Sequence, residues 1–321
     1  MTGIGGFFEL ELPRAGEPYH ARALALSSGR ACLRRILERL APVRVWIPFY
    51  VCDAVLPAIE HAGATVKFYP VDETLDPLLP ADQLSDHDVV VYVNYFGIKT
   101  DAASTLAASL GVRAVVDDSQ AFFQRGYAGS SSFNSARKFF GVPDGAYAYG
   151  DGLSGSPVAG PGPVRYEHLL TRLLGDQERA FRQYRDSEAC ISDEPTAMSS
   201  FARRLLAGID YDAARRAREQ NFARLHSGLG ATNRLRMPDS AVMAPFCYPL
   251  LLDRPVPWDA LWRRHIFAPR LWPDVETREG AAAFEWERRL ASQLMPLPID
   301  QRYSLDDMDR VIEAVAEVLE W

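Results

Sequence analysis

Lysine is the scarcest charged residue in this chain, with only Lys67, Lys99 and Lys138 among 321 residues; arginine fills nearly all the other cationic positions. Cysteine is also scarce. Cys32, Cys52, Cys190 and Cys247 lie far apart with no Cys-x-x-Cys pair, which argues against a zinc site or a disulfide framework and fits a reducing cytoplasm. No uncharged apolar run approaches membrane-spanning length, and the Met1–Gly6 segment is not a basic stretch followed by an apolar one, so neither a span nor a signal peptide is expected. There is no dense basic run, and the formal net charge is −7, so nucleic acid and anionic membranes are poor partners. The pairs Arg215-Arg216 and Arg263-Arg264 read as solvated helix faces. The histidines show no ligand spacing, and no metal is expected. These absences leave a soluble cytoplasmic protein of ordinary globular composition, 48% hydrophobic and 24% charged. It is long enough for one large domain, or one large and one small.

Several segments are Val-rich and alternate with helical patterns. Residues 28–41 place apolar side chains at helical spacing behind Ser27-Ser28-Gly29. Residues 43–47, 65–70, 88–93 and 112–117 read as strands, and 51–62 and 101–110 as helices. Short continuous apolar strands separated by helices indicate a parallel sheet covered on both faces. A weak alternation at 7–12 predicts a further short strand. The Gly/Pro/Ser-rich stretch 151–164 breaks the rhythm and marks a boundary or a loop over a site. Residues 165–229 are helical in pattern. The remainder mixes strands at 243–252 and 266–270 with helices at 256–264, 281–292 and 304–319, as a small α/β domain would. The division is therefore 1–164, a helical connecting segment 165–229, and 230–321.

Four segments carry candidate chemistry. Ser28-Gly29-Arg30 opens a helix, where exposed N–H groups and the helix dipole suit a phosphate, although a plain helix cap reads the same way. Tyr50, in Pro48-Phe49-Tyr50-Val51-Cys52-Asp53, is placed to stack on a flat ring or simply to fill the core. Asp117-Asp118-Ser119-Gln120 puts acids at the carboxyl end of a buried strand, where open α/β sheets bind ligands, or where a helix N-cap would stand. Lys138, three residues after Ser135, lies between a small polar run and a Gly-x-Pro-Asp-Gly turn; the flanking Phe139-Phe140 predict a half-buried setting. A lysine amine forms a Schiff base with an aldehyde. With an acid at a neighbouring strand end to keep a pyridine nitrogen protonated, the pair meets the needs of pyridoxal 5'-phosphate.

The order of these segments resembles the DegT/StrS-type sugar aminotransferases, which are pyridoxal-phosphate enzymes of fold type I. Ser28-Gly29-Arg30-Ala31-Cys32-Leu33 is similar to that family's Ser-Gly-Thr-x-Ala-Leu phosphate turn, with Arg30 in place of the threonine. Val116-Asp117-Asp118-Ser119-Gln120 resembles its Glu-Asp-Ala-Ala-Gln segment. Lys138, Gly141, Asp144 and Gly145 keep the spacing of its Schiff-base turn, with Arg137 where a small residue is usual. Asn94-Tyr95-Phe96-Gly97, Met198-Ser199 and Met295-Pro296-Leu297-Pro298 are similar to further family segments, so the likeness runs over residues 25–319.

The resemblance implies a large domain with a mostly parallel mixed sheet flanked by helices, plus a smaller C-terminal α/β domain. It implies Lys138 and Asp117 as catalytic residues, and Ser28, Gly29, Arg30, Asp117, Gln120, Ser135 and Lys138 as binding pyridoxal phosphate; Tyr50, as the candidate stacking aromatic, joins the expected cofactor-binding residues. It further implies a homodimer that moves an amino group from an amino-acid donor, commonly glutamate, to a ketone such as a nucleotide-linked keto sugar. Two alternatives stay open: another pyridoxal-phosphate reaction, as in a lyase or decarboxylase, and a non-catalytic binding or regulatory protein on the same fold.

Overall fold

The computed structural model describes residues 10–12, 16–153, 159–238 and 240–319. At its centre is a seven-stranded sheet of order β1-β7-β6-β5-β4-β2-β3. The strands are β1 (Leu24–Leu26), β2 (Arg44–Pro48), β3 (Thr65–Tyr69), β4 (Asp88–Val93), β5 (Ala114–Asp118), β6 (Ser131–Asn134) and β7 (Ala146–Tyr149). The strands from β3 through β6 run parallel, whereas β7 is antiparallel to both of its neighbours, β6 and β1. Every residue of β4 and β5 is buried, which is why Val89–Val93 and Ala114–Val116 read as continuous apolar runs rather than alternating ones.

Helices cover the sheet. Ser28 caps α1 (Gly29–Leu40) by accepting the Ala31 N–H, and the helix buries Ala31, Cys32, Leu33, Ile36 and Leu37. It packs on β6 and β7, while α2 (Leu56–His61) packs on β3 and α3 (Thr100–Leu110) on β5. At the amino ends of β2 and β4, the almost fully buried Asp88 carboxylate takes hydrogen bonds from Arg44 Nη2 at 2.6 Å, Trp46 Nε1 at 3.1 Å and the Ser85 amide at 3.0 Å. These donors compensate a carboxylate that would otherwise be costly to bury.

Four helices follow: α4 (Glu167–Leu173), α5 (Gln177–Ala189), α6 (Ser200–Ala207) and α7 (Tyr211–Leu229). The antiparallel pair β8 (Cys247–Leu251) and β9 (Leu294–Pro298) then forms a second sheet. Around it lie α7, α8 (Trp258–Arg263), α9 (Glu285–Gln293) and α10 (Leu305–Leu319), enclosing a separate apolar cluster of Leu225, Tyr248, Leu250, Leu297, Val311 and Val315.

Some sequence expectations change. Residues 266–270 form no strand: His265 takes a left-handed φ of 59°, which turns the chain away from extended geometry. Most of the strand expected at 7–12 lies outside the described residues, and Leu10–Leu12 carry no regular structure. Of the Gly/Pro-rich stretch, 154–158 are likewise outside, and Ala159 forms an isolated bridge with Thr196.

Candidate functional site

Because β2, β4, β5 and β6 are parallel, the segments that follow them emerge at one edge of the sheet. That edge collects Phe49-Tyr50 after β2, Asn94–Gly97 after β4, Asp117–Gln120 at the end of β5, and Ser135–Lys138 after β6. Open α/β sheets bind ligands at this edge.

The two acids of β5 are neighbours in sequence and point to opposite faces of the strand. Asp117 is 7% exposed; its Oδ1 accepts the Ser119 amide at 2.8 Å, leaving Oδ2 without a hydrogen-bond partner in the described structure. Asp118 points inward, where its Oδ1 accepts Asn94 Nδ2 at 2.9 Å and the Tyr127 hydroxyl at 3.0 Å. Burial pushes the Asp118 carboxyl up to about 8, against the pull of those two donors and with a further push from Asp117. Gln120 is buried and receives the Phe96 amide on Oε1 at 2.6 Å. Phe96 has a left-handed φ of 57°. Gly97 follows at φ +75°, where a β-carbon would meet the Gln120 carbonyl at 2.6 Å, so only glycine fits this turn.

The start of α1 reaches the same place. A β-carbon on Gly29 would lie 3.5 Å from Ser119 Oγ and 3.6 Å from the Asn134 carbonyl, so the helix N-terminus abuts the ends of β5 and β6. The Ser28 hydroxyl is engaged, accepting the Ala31 amide at 3.0 Å and donating to the Ser192 carbonyl at 2.8 Å. The Gly29 and Arg30 amides have no acceptor in the described structure. Arg30 turns its guanidinium to the Ile191 carbonyl at 3.0 Å.

Lys138 ends a short 3-10 turn, Ala136–Lys138. The turn is fixed through its backbone. The Ala136 amide donates to the Gly145 carbonyl at 3.0 Å, and the Gly145 amide donates to the Ser27 carbonyl at 2.8 Å, joining the lysine turn directly to the start of α1. Asp144 holds Ser199 through its amide at 2.8 Å and its hydroxyl at 2.6 Å, and Ser199 in turn caps α6. Phe139 and Phe140 are buried, but Lys138 is exposed, contrary to the half-buried setting expected from its neighbours. The phenylalanines face inward and send the lysine outward. Ser135 beside it is half-buried. Arg137 pairs with Glu188 at the end of α5.

Tyr50, although it follows β2 at this edge, is packed in the core. It is completely enclosed, with Tyr95 stacked 5.8 Å away and Trp272 edge-on at 4.6 Å, and its hydroxyl is buried without a partner. No face of the ring is open to a ligand, so the core reading of this residue is the one the packing supports. Sequence reasoning also missed Asn94 as the partner of Asp118 and the deep burial of Arg218. A single arginine in an arginine-rich chain gives no signal. No group of His, Cys, Asp and Glu that could hold a metal occurs among the described residues, and no described helix is long and apolar enough to cross a membrane.

No protein-family model matches the chain, and no curated protein matches it. Solved structures do match. The chain superposes on the sugar aminotransferase CalS13 from Micromonospora echinospora with a TM-score of 0.66 at 18% identity, over 93% of this chain and 88% of that one. It matches DesV of S. venezuelae, in complex with a ketimine intermediate, with a TM-score of 0.63 at 22% identity, covering 92% and 84%. It matches a DegT DnrJ EryC1 StrS aminotransferase from Brucella abortus with a TM-score of 0.64 at 14% identity, covering 92% and 85%. At such identities the shared property is the architecture: the chain has the fold of the DegT/DnrJ/EryC1/StrS-type sugar aminotransferases, the pyridoxal-phosphate fold of type I.

Proposed function

We propose that this chain is a pyridoxal-phosphate-dependent aminotransferase that transfers an amino group from an amino acid to the ketone of a sugar. The reading takes glutamate as the donor and a nucleotide-linked keto sugar as the acceptor. One observation carries it. An acid with a free carboxylate oxygen, a helix start with free amides and a lysine turn meet at one sheet edge, and the last two are joined by the Gly145–Ser27 hydrogen bond. Two of the matching structures are the PLP and PMP forms of one Streptococcus pneumoniae protein, and another was obtained with its TDP-sugar product.

The residues present fit the cofactor. The Gly29 and Arg30 amides suit its phosphate, with the half-buried Ser135 hydroxyl as a further donor. Asp117 Oδ2 suits a protonated pyridine nitrogen, and Gln120 shapes the loop beside it. When bound, the cofactor supplies an electron sink for the carbon being deprotonated. Lys138 would hold the cofactor through its aldehyde, and its amine, when free, would move the proton at the donor's α-carbon and at the acceptor's carbon. Asp117 Oδ2 would hold the protonated ring nitrogen.

The reading includes a homodimer. Next to the lysine turn, α4 and α5 expose Leu170, Leu173, Leu174 and Phe181, an apolar face that a second subunit would cover along with the open side of Lys138.

The deciding experiment is the visible spectrum of purified wild type and Lys138→Ala with added pyridoxal phosphate. A visible band in wild type that borohydride bleaches, leaving the label on the Lys138 peptide, and no such band in the variant are expected. A wild type that never takes up the cofactor refutes the proposal. Conversion of the bound cofactor to its amine form by glutamate separates aminotransfer from lyase or decarboxylase chemistry.

A further inference from the structure

Arg218, on α7, heads the side chains that the fold buries completely, and no carboxylate lies within ion-pair distance of it in the described structure. Removing a guanidinium from water is costly, and an apolar side chain would fill the same space without that cost. Its contacts show what the charge holds together. Nε donates to Gln301 Oε1 at 3.0 Å, Nη1 to the carbonyls of Pro245 and Phe246 at 3.1 and 3.3 Å, and Nη2 to the Phe139 carbonyl at 3.4 Å. The guanidinium carbon lies 4.4 Å over the Phe139 ring. Gln301 donates its own Nε2 to the same Phe139 carbonyl at 2.9 Å. Phe139 is the residue after Lys138.

The hydrogen bonds continue in the other direction. The Phe246 amide donates to the Phe96 carbonyl at 2.8 Å, and the Phe96 amide donates to Gln120 Oε1 at 2.6 Å. A continuous path therefore runs from the acid-bearing loop through Phe96, Phe246 and Arg218 to the lysine turn. Phe96, on this path, at φ 57°, and Ala244, just before Pro245, at φ 43°, hold left-handed backbone that persists only where its surroundings over-determine it. Burial lowers the Arg218 guanidinium to about 10, so it remains charged at neutral pH.

We infer that Arg218 is a positioning residue: through Phe139 it fixes the turn that carries Lys138 against the Asp117–Gln120 loop. The inference rests on the reading of Lys138 as the residue that holds the cofactor. Arg218 itself touches neither cofactor nor substrate in this role.

Full-length Arg218→Met, Arg218→Lys and Gln301→Leu test it. Amide hydrogen exchange on the cofactor-free proteins reads the turn directly, and the rate and pH profile of pyridoxal-phosphate uptake read the lysine. In Arg218→Met, residues 139–142 are expected to exchange about tenfold faster or more, while β4 and β5 keep wild-type protection. Uptake is expected to slow by about tenfold with a displaced pH midpoint. Arg218→Lys restores the charge but not the planar fork, so it leaves uptake slow. Gln301→Leu, which removes the second donor to the Phe139 carbonyl, shows the same changes to a smaller degree. Wild-type exchange at 139–142 with a wild-type uptake profile in a folded Arg218→Met overturns the inference, as does full rescue by lysine. If Arg218→Met does not fold, unchanged exchange and uptake in Gln301→Leu overturn it instead. A wild type that takes up no cofactor defeats the functional reading, and the exchange measurement then decides by itself whether Arg218 holds the turn.

Discussion

Asp117 and Asp118 are chemically identical, yet the fold gives them different surroundings, and a change at Asp118 separates the two. Asp118 is 1% exposed, and its carboxyl is hydrogen-bonded by two neutral donors, Asn94 and Tyr127. Burial is the largest influence on it and keeps the proton on up to about 8. An unfolded aspartate releases its proton near pH 4. Between those values the folded chain binds more protons than the unfolded one, so stability fully present below about pH 4 is lost as pH rises towards 8. The slope is at most about 1.4 kcal/mol per pH unit, so this group removes on the order of 2–3 kcal/mol between pH 5 and 7. Asp118→Asn keeps the shape and the accepting oxygen but does not titrate. Urea unfolding of the cofactor-free proteins is expected to move in favour of the variant by that amount over the same interval. Parallel curves for the two proteins would refute the assignment of a neutral buried Asp118. The same change one residue earlier has a different readout. Asp117→Asn should lower turnover by about a hundredfold or more with cofactor still bound, while Asp118→Asn keeps most of it. Equal losses in the two variants would show that the wrong acid has been assigned.

Two further changes probe the frame of the site. Gly97→Ala puts a β-carbon 2.6 Å from the Gln120 carbonyl and 3.3 Å from the Pro245 Cα, both backbone atoms with little room to give, at φ +75°. A loss of about 2 kcal/mol or more is expected in a thermal melt, and a variant indistinguishable from wild type would mean the turn is not held as tightly as the distances imply. Replacing Leu173 and Leu174, 82% and 85% exposed, with glutamate should convert a wild-type dimer into a monomer by light scattering; a monomeric wild type at micromolar concentration would refute the homodimer.

The parallel half of the sheet was legible because β2, β4 and β5 are buried on both faces and their residues say so. β6 was not. Ser131-Ser132-Phe133-Asn134 is polar in sequence yet wholly buried, and its neighbourhood is satisfied by distant partners: Ser130 donates to the Ala107 and Gly111 carbonyls, and Asn134 accepts the Tyr147 amide. Pattern alone cannot reveal partners more than ten residues away. β9 hid behind Pro296 and Pro298, tolerable because a two-stranded ribbon has free edges for residues without an N–H. At the candidate site, the placing of the Lys138 turn and the acids at one sheet edge was legible because scarcity and strand ends are visible in one dimension. The enclosure of Tyr50, the outward turn of Lys138 and the contacts of Arg218 were not, since each depends on what the C-terminal third packs against.

The departures from the family pattern gain a physical account from the same contacts. Where a threonine side chain would serve a phosphate turn, Arg30 reaches the Ile191 carbonyl; where a small residue would precede the lysine, Arg137 pairs with Glu188. Arg34 adds a hydrogen bond to Glu194 at 2.9 Å, His61 one to Asp193 at 2.6 Å, and Ser28 one to the Ser192 carbonyl. Together these contacts tie residues 188–194 to α1, to the end of α2 and to the lysine turn. The altered side chains thus fasten a segment of the same chain around the helix N-terminus, while the amides that suit a phosphate are backbone and survive the substitution. A site built on backbone geometry can change its side chains without losing its frame, which is consistent with a chain that keeps the fold at under a quarter identity to the matched structures described above.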